Sequence, residues 1–159
     1  WFKVYHPLAF YAAYFSIRAK AFDLRIMTGD LKTQMTEFNR IKALDRGASP
    51  KDKDLMSALE VSMEMDQRGD RFVNVDIQHS EARRFSIKDG ALLPPFLAID
   101  SLGETVADAI VAEREERPFT SLKDLQRRCK VSNTIIDLMK ELKCCGELPE
   151  DEQMSLFGA

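Results

Sequence analysis

The apolar residues in the first 70 positions recur at intervals of three and four, which predicts a series of amphipathic helices. Pro7 suits the first turn of the first helix, whose apolar positions are Leu8, Tyr11, Ala12 and Phe15. The second helix is predicted to end at Gly47, and its apolar face comprises Leu31, Met35, Phe38, Ile41 and Leu44. The third opens with Ser49 as its N-cap, Pro50 and Asp52, which is typical of a capping box, and should end near Gly69.

The pattern changes between residues 71 and 98, where alternation replaces the helical period. A short strand is predicted from Phe72, Val73, Val75 and Ile77. A hairpin should follow, because Asp89-Gly90 supplies the positive φ angles of a two-residue turn between Phe85-Ile87 and Leu92-Leu93. Pro94-Pro95 ends this segment.

The second half of the chain returns to the helical period. One apolar stripe, interrupted at Gly103, comprises Ile99, Leu102, Val106 and Ile110. Ser121 and Ser132 are predicted N-caps of two further helices, so residues 99–145 can hold two helix-turn-helix units in tandem. The predicted fold class is therefore mainly α with a small β hairpin (α+β), and the tandem units lie in the C-terminal half.

Composition narrows the class of protein further. A chain of 159 residues with 45% hydrophobic residues and a net charge of −3 is expected to form one domain or two small ones. The longest apolar stretch, residues 8–17, is about half the ~20 residues of a membrane helix, so no membrane span is expected. Three cysteines, two of them adjacent, indicate reduced thiols in the cytoplasm. Because the chain begins with Trp1, we expect it to be a section of a longer protein.

A catalytic or metal site is not expected from the sequence. His6 and His79 have no histidine or cysteine partners at metal-ligand spacing, and no nucleophile-base arrangement or phosphate-binding glycine loop is present. The most informative stretch is instead residues 99–110, which match a helix, a turn holding Gly103 and a second helix. The open amides of such a second helix can bind a phosphate, but the same spacing also fits a simple helix-helix corner.

Two other features bear on binding. Five cations lie within fourteen residues against one aspartate, a local balance of +4 that indicates either a nucleic-acid surface or a solvated charged face: Arg117, Lys123, Arg127, Arg128 and Lys130. The C-terminal segment places Leu156 and Phe157 after an acidic run, Glu150-Asp151-Glu152. An apolar pair on a polar tether is a common docking peptide, although it can also fold back on its own domain.

Together these stretches resemble the C-terminal region of PolC-type bacterial DNA polymerase III α subunits. The resemblance extends over residues 2–15, 75–80, 93–103, 119–128 and 153–157, the last being similar to the family's clamp-binding peptide with Met154 in place of leucine. It implies four segments: 1–70 as the end of the fingers, 71–98 as a β-hairpin linker, 99–146 as a tandem helix-hairpin-helix domain, and 147–159 as an acidic linker and clamp-binding peptide.

The resemblance also implies a function. The parent would be a DNA-directed DNA polymerase with a 3′-5′ exonuclease, and its catalytic residues and Mg²⁺ would lie outside this chain, which needs no cofactor of its own. Double-stranded DNA would be held through its backbone by Gly103, Glu104, Thr105, Lys123, Arg127, Arg128 and Lys130. The β sliding clamp would bind Gln153, Met154, Ser155, Leu156 and Phe157. The alternatives are a non-catalytic DNA-binding module of a repair or recombination protein, and a protein-interaction domain whose hairpin packs internally.

Overall fold

The computed structural model describes residues 1–18 and 21–151, and in these ranges the chain is mainly helical. The helices are α1 (Phe2–Tyr5), α2 (Pro7–Ile17), α3 (Leu24–Met27), α4 (Leu31–Leu44), α5 (Pro50–Gln67), α6 (Glu104–Glu116), α7 (Leu122–Cys129) and α8 (Asn133–Glu141). The strands are β1 (Ser86–Lys88) and β2 (Ala91–Leu93), and short 3₁₀ turns occupy Asp45–Gly47 and Phe96–Ala98. The predicted fold class is confirmed. None of the helices in the described ranges has the length and apolar character that crossing a membrane requires.

Side-chain caps explain where most of these helices begin. The N-terminal amides of α3, α4, α5, α7 and α8 are capped by Asp23, Asp30, Ser49, Ser121 and Ser132, respectively. The predicted capping box of α5 is confirmed, because Ser49 Oγ accepts from the Asp52 amide while the Asp52 carboxylate accepts from the Ser49 amide. Helix α6 differs, since its N-cap is Gly103 and no side chain caps it.

The α4-α5 pair contains a buried polar contact. Ser62 Oγ donates to Gln34 Oε1 at 2.7 Å, and Gln34 Nε2 donates to the Met27 carbonyl at 3.1 Å. Both side chains are almost fully buried. The side-chain amide of Gln34 therefore has a donor and an acceptor partner, and it connects α4 to α5 and to the end of α3.

The two-stranded sheet forms as predicted, but the strand before it does not. Ser86 pairs with Leu93 and Lys88 with Ala91, and the turn between them has φ angles of 51° at Asp89 and 74° at Gly90. The strand predicted over residues 72–77 is wrong, because Phe72 makes only an isolated bridge to Leu92. After that bridge the backbone amides of residues 75–77 turn to other acceptors: Asn74 Oδ1, Ser80 Oγ and the Cys144 carbonyl.

Four phenylalanines join the helical half to the sheet. The ring centroids of Phe15 and Phe72 are 4.9 Å apart, and those of Phe22 and Phe85 are 5.0 Å apart. Ser16 Oγ also accepts from the Phe85 amide at 2.9 Å. Buried side chains of residues 1–70, 71–98 and 99–146 thus pack in one cluster. The division of the chain into four segments stays a prediction.

Candidate nucleic-acid interface

The turn between residues 99 and 103 presents the N-terminus of α6. Ser101 has a φ angle of 63°, a left-handed conformation that glycine adopts most readily. Gly103 has an ordinary φ of −74°, and the space where its Cβ would stand is open. A ligand can therefore come close to the backbone at Gly103. The amides of Glu104 and Thr105 follow in the first helical turn, where an α-helix offers no internal acceptor.

Helix α6 is long enough for its dipole to attract a negatively charged ligand at the N-terminus. Its 13 residues leave the N-terminal amides facing outward with a partial positive charge behind them. No described side chain competes for these amides. Gly103, Glu104 and Thr105, the three residues assigned to phosphate contact, are thus brought together at one accessible helix end.

Arg83 lies beside this helix end, although it is more than twenty residues away in sequence. Its Nε donates to Asp108 Oδ1 at 3.0 Å, its Nη2 donates to the other Asp108 oxygen, and its Nη1 donates to Glu104 Oε2 at 2.9 Å. The segment that carries Arg83 is held against the 3₁₀ turn Phe96–Ala98, because the Phe96 and Leu97 amides donate to the carbonyls of residues 81 and 82. Sequence reasoning missed this residue, and no local signal would have identified it.

The cations of residues 117–130 lie further along the chain, and most of them are paired. Arg128 is almost buried, with 11% of its side chain exposed, and donates to Glu113, Asp124 and two backbone carbonyls. Its guanidinium also lies over the Phe119 ring. Arg128 thus joins the end of α6 to α7, and its assigned contact with DNA stays a prediction.

The other assigned cations are more exposed. Arg127 is 72% exposed and donates to Asp124 Oδ1 at 3.0 Å, while Lys123 is 68% exposed and pairs with Asp151 at 2.5 Å. Lys130 has a φ angle of 55° at the C-cap of α7 and is exposed. Within the described part of the chain, Lys130 has no ion-pair partner. It therefore has the least competition for a phosphate of the four cations.

Asp124 organises this cluster from a fully buried position. Its carboxylate accepts from the Thr120 amide at 3.3 Å and from three arginines: Arg117, Arg127 and Arg128. Burial raises the pKa of Asp124, but the hydrogen bonds from Thr120, Arg127 and Arg128 outweigh that effect, so the pKa lies below its ordinary value. The carboxylate is consequently ionised at neutral pH and offsets much of the local positive charge.

The second helical pair, α7 and α8, is joined by a short left-handed turn. Beyond Lys130, the Val131 amide donates to the Gln126 carbonyl, and Ser132 caps α8 through the Ile135 amide. Gln126 also donates to Asn133 Oδ1 across the turn. The polar groups of the α7–α8 turn are thus hydrogen-bonded by the turn's own residues, unlike the open end of α6.

The acidic segment after α8 lies against the protein as far as Asp151. The Leu122 and Lys123 amides donate to the carbonyls of Pro149 and Glu150, and the Glu150 carboxylate pairs with Lys140 at 2.6 Å. The residues assigned to clamp binding, Gln153, Met154, Ser155, Leu156 and Phe157, lie outside the described residues. The segment that precedes them is therefore anchored to the first turn of α7.

The cysteines and His79 are the remaining candidates for catalysis or metal binding. Burial raises the pKa of the Cys129 and Cys145 thiols to about 11 and that of Cys144 to about 12, so all three are protonated and unreactive at neutral pH. His79 is exposed and contacts Asp76 and Lys88. In residues 1–18 and 21–151, no three or more histidine, cysteine or acidic side chains come together as metal ligands.

Comparison with known proteins identifies related sequences. A family model described as a helix-hairpin-helix motif matches residues 69–153, a range that includes the α6 turn, α7 and α8. The chain is 43% identical over 157 residues to a "DNA polymerase III PolC-type" of Caldanaerobacter subterraneus subsp. tengcongensis. It is 46% identical over 160 residues to that of Streptococcus suis and 44% identical to that of Streptococcus pyogenes. Each match covers 99% of this chain but 11% of the relative's length.

Proposed function

Because the chain belongs to the helix-hairpin-helix family and is similar over 99% of its length to a section of PolC-type DNA polymerase III, we propose that it is the part of a replicative polymerase that holds duplex DNA. The parent enzyme would be a DNA-directed DNA polymerase with proofreading exonuclease activity, working in the cytoplasm. The observation that carries the proposal is the open, uncapped N-terminus of α6 within the matched motif.

The physical basis of this function is backbone recognition. Amides at the N-terminus of α6 donate to phosphate oxygens, and the helix dipole favours the negative charge. Neither interaction depends on base sequence, so the duplex can move through the site while the contacts are exchanged. Lys130 and Arg127 then supply attraction at longer range, which salt screens.

Mg²⁺ is expected of the parent polymerase on the family resemblance alone. The described residues bring together no group of ligands that fits such an ion, so we assign it no residue here. The part played by this chain is binding and positioning.

Sliding-clamp binding is the second part of the proposal, and it is supported by the sequence of residues 153–157. Leu156 and Phe157 would fill an apolar pocket of the clamp, Met154 would add to that contact, and Gln153 would form a hydrogen bond. The anchored segment up to Asp151 would give the peptide a defined starting point on α7. Attachment to a ring around the same DNA would raise the effective concentration of the polymerase at its template.

A proline substitution tests the amide site directly. Glu104→Pro removes one amide donor at the first helical position, where proline is tolerated, and Gly103 already has the extended ψ of 158° that a following proline requires. Glu104→Ala is the matched control, because it removes the same carboxylate and keeps the amide. Fluorescence anisotropy with a labelled 20-base-pair duplex should show weaker binding for the proline variant than for the alanine variant. Equal affinities would exclude this amide from the interface.

Deletion of residues 153–159 tests the clamp assignment separately. The truncated chain should lose clamp binding in surface plasmon resonance and keep its duplex affinity. A double substitution, Leu156→Ala with Phe157→Ala, should reproduce the loss, whereas Ser155→Ala should have a smaller effect. Retention of full clamp affinity by the truncated chain would exclude the peptide.

A further inference from the structure

We propose that Arg83 is the phosphate-binding cation at the turn of residues 99–103, with Asp108 holding its guanidinium in place beside the N-terminus of α6. The inference rests on the proposed duplex-binding function and adds a residue that neither the charge pattern nor the motif match identifies. The open amides and the cations assigned from sequence belong to different elements of the structure. The open amides lie at Glu104 and Thr105, whereas the cations assigned from sequence lie in and just after α7.

Charge balance at the helix end requires a cation. The first two turns of α6 carry the carboxylates of Glu104 and Asp108, both about half exposed. Two negative charges beside a phosphate site would repel the phosphate. Arg83 contacts both carboxylates and offsets part of that charge. A phosphate can therefore approach the α6 amides only with this guanidinium next to it.

The geometry leaves Arg83 able to bind more than its carboxylates. A guanidinium has five N–H donors, and three are used in the contacts with Asp108 and Glu104. Two donors remain without an acceptor among the described residues, and half of the side chain is exposed. The two-point contact with Asp108 fixes the plane of the group, so little side-chain freedom is lost when a phosphate binds.

Glu104 then acts as the group that a phosphate displaces. It makes a single contact with Arg83, at Nη1, whereas Asp108 makes two. A phosphate oxygen that reaches the α6 amides can take the place of the Glu104 carboxylate, while Asp108 stays hydrogen-bonded to Arg83. Duplex binding and the Arg83–Glu104 contact therefore compete.

The test measures duplex affinity of the whole 159-residue chain over a range of KCl concentrations. Arg83→Ala should weaken binding roughly tenfold, as loss of one charge-assisted contact predicts, and should reduce the slope of log K against log salt by about one unit. Arg83→Gln provides a second variant that can still hydrogen-bond to Asp108, and thermal melts check that both variants fold.

Arg40 provides a matched control. It is 51% exposed and also contacts two carboxylates, Glu37 through two nitrogens and Asp52 through one. It lies on α4 and has no contact with residues 99–108 among its hydrogen bonds or ion pairs. Arg40→Ala should therefore leave duplex affinity and salt slope unchanged. Equal effects of Arg83→Ala and Arg40→Ala would overturn the assignment of Arg83 and leave the proposed function standing.

A background of Glu104→Gln with Asp108→Asn separates phosphate contact from simple neutralisation, because it removes both carboxylates that Arg83 offsets. The Glu104→Gln change alone should tighten duplex binding several-fold, because it removes the competing charge and keeps the amide. If Arg83 contacts phosphate, Arg83→Ala should still cost affinity in the doubly substituted background. If its only effect is to neutralise the two carboxylates, the loss should disappear, and the proposal is overturned. Failure of the unsubstituted chain to bind any duplex would overturn the proposed function, and the role of Arg83 with it.

Discussion

Replacement of Asp124 by alanine should destabilise the protein far more than loss of an ordinary surface carboxylate. The Asp124 side chain is fully buried and accepts from one backbone amide and three arginines. Its removal leaves the almost buried guanidinium of Arg128 with one carboxylate instead of two. Breaking a buried ion pair by removing one partner typically costs 3–5 kcal/mol, and because Arg117 and Arg127 are exposed we expect about 3 kcal/mol.

Thermal and urea unfolding followed by circular dichroism measure this loss. For a chain of this length, about 3 kcal/mol corresponds to a decrease in Tm of about 6–12 °C. Asp108→Ala is the matched control, because Asp108 also pairs with an arginine but is 48% exposed. It should change stability only slightly. A Tm decrease for Asp124→Ala no larger than that for Asp108→Ala would refute the reasoning.

The pH dependence of stability provides an independent check on the same carboxylate. The pKa of Asp124 in the folded protein lies below its ordinary value, which is about 3.9 in an unfolded chain. Its contribution is therefore fully present above that unfolded value and is lost as the pH falls through the folded pKa. The difference in stability between the unsubstituted chain and Asp124→Asn should shrink in this acidic range. A difference that is constant from pH 7 to pH 2 would contradict the assignment.

Three further experiments test the packing. The buried thiols of Cys129, Cys144 and Cys145 should react with a colorimetric thiol reagent at pH 8 only after denaturant is added, and rapid reaction of the folded chain would contradict their burial. Gln34→Leu should cost about 1–3 kcal/mol in urea unfolding, because a buried hydroxyl and a carbonyl lose their partner; an unchanged midpoint would contradict this. Gly90→Ala should cost about 1 kcal/mol, since φ is 74° there, whereas Gly103→Ala should not affect stability.

The elements that could be predicted from sequence are those determined by local interactions. Helices α4, α5 and α8 follow from periodic apolar residues and from caps within three residues of the helix start. The Asp89-Gly90 turn follows from φ angles that few residues adopt. In each case the atoms that decide the structure are neighbours in the chain.

The strand predicted at residues 72–77 failed for the opposite reason. A strand needs a partner, and the amide of Ile77 finds its acceptor at Cys144, almost seventy residues away. The same limit applies to the candidate site. The position of Gly103, Glu104 and Thr105 at the start of a helix could be predicted, because these residues are consecutive. Arg83 could not, because only the folded chain places it beside α6.

The charge of residues 117–130 shows why a basic stretch in a sequence overstates the attraction for DNA. Five cations neutralising five phosphates would give a salt slope of about 4.5. In the fold, Asp124 is shared by three arginines and Lys123 contacts Asp151, so much of that charge is already compensated within the protein. If a bound phosphate displaces Glu104 from Arg83, so that Lys130 and Arg83 carry the main ionic contacts, a slope of about 2 is expected, because backbone amides bear no net charge. A chain with a net charge of −3 can then bind DNA because the phosphate meets a helix end and two cations, without a broad basic surface.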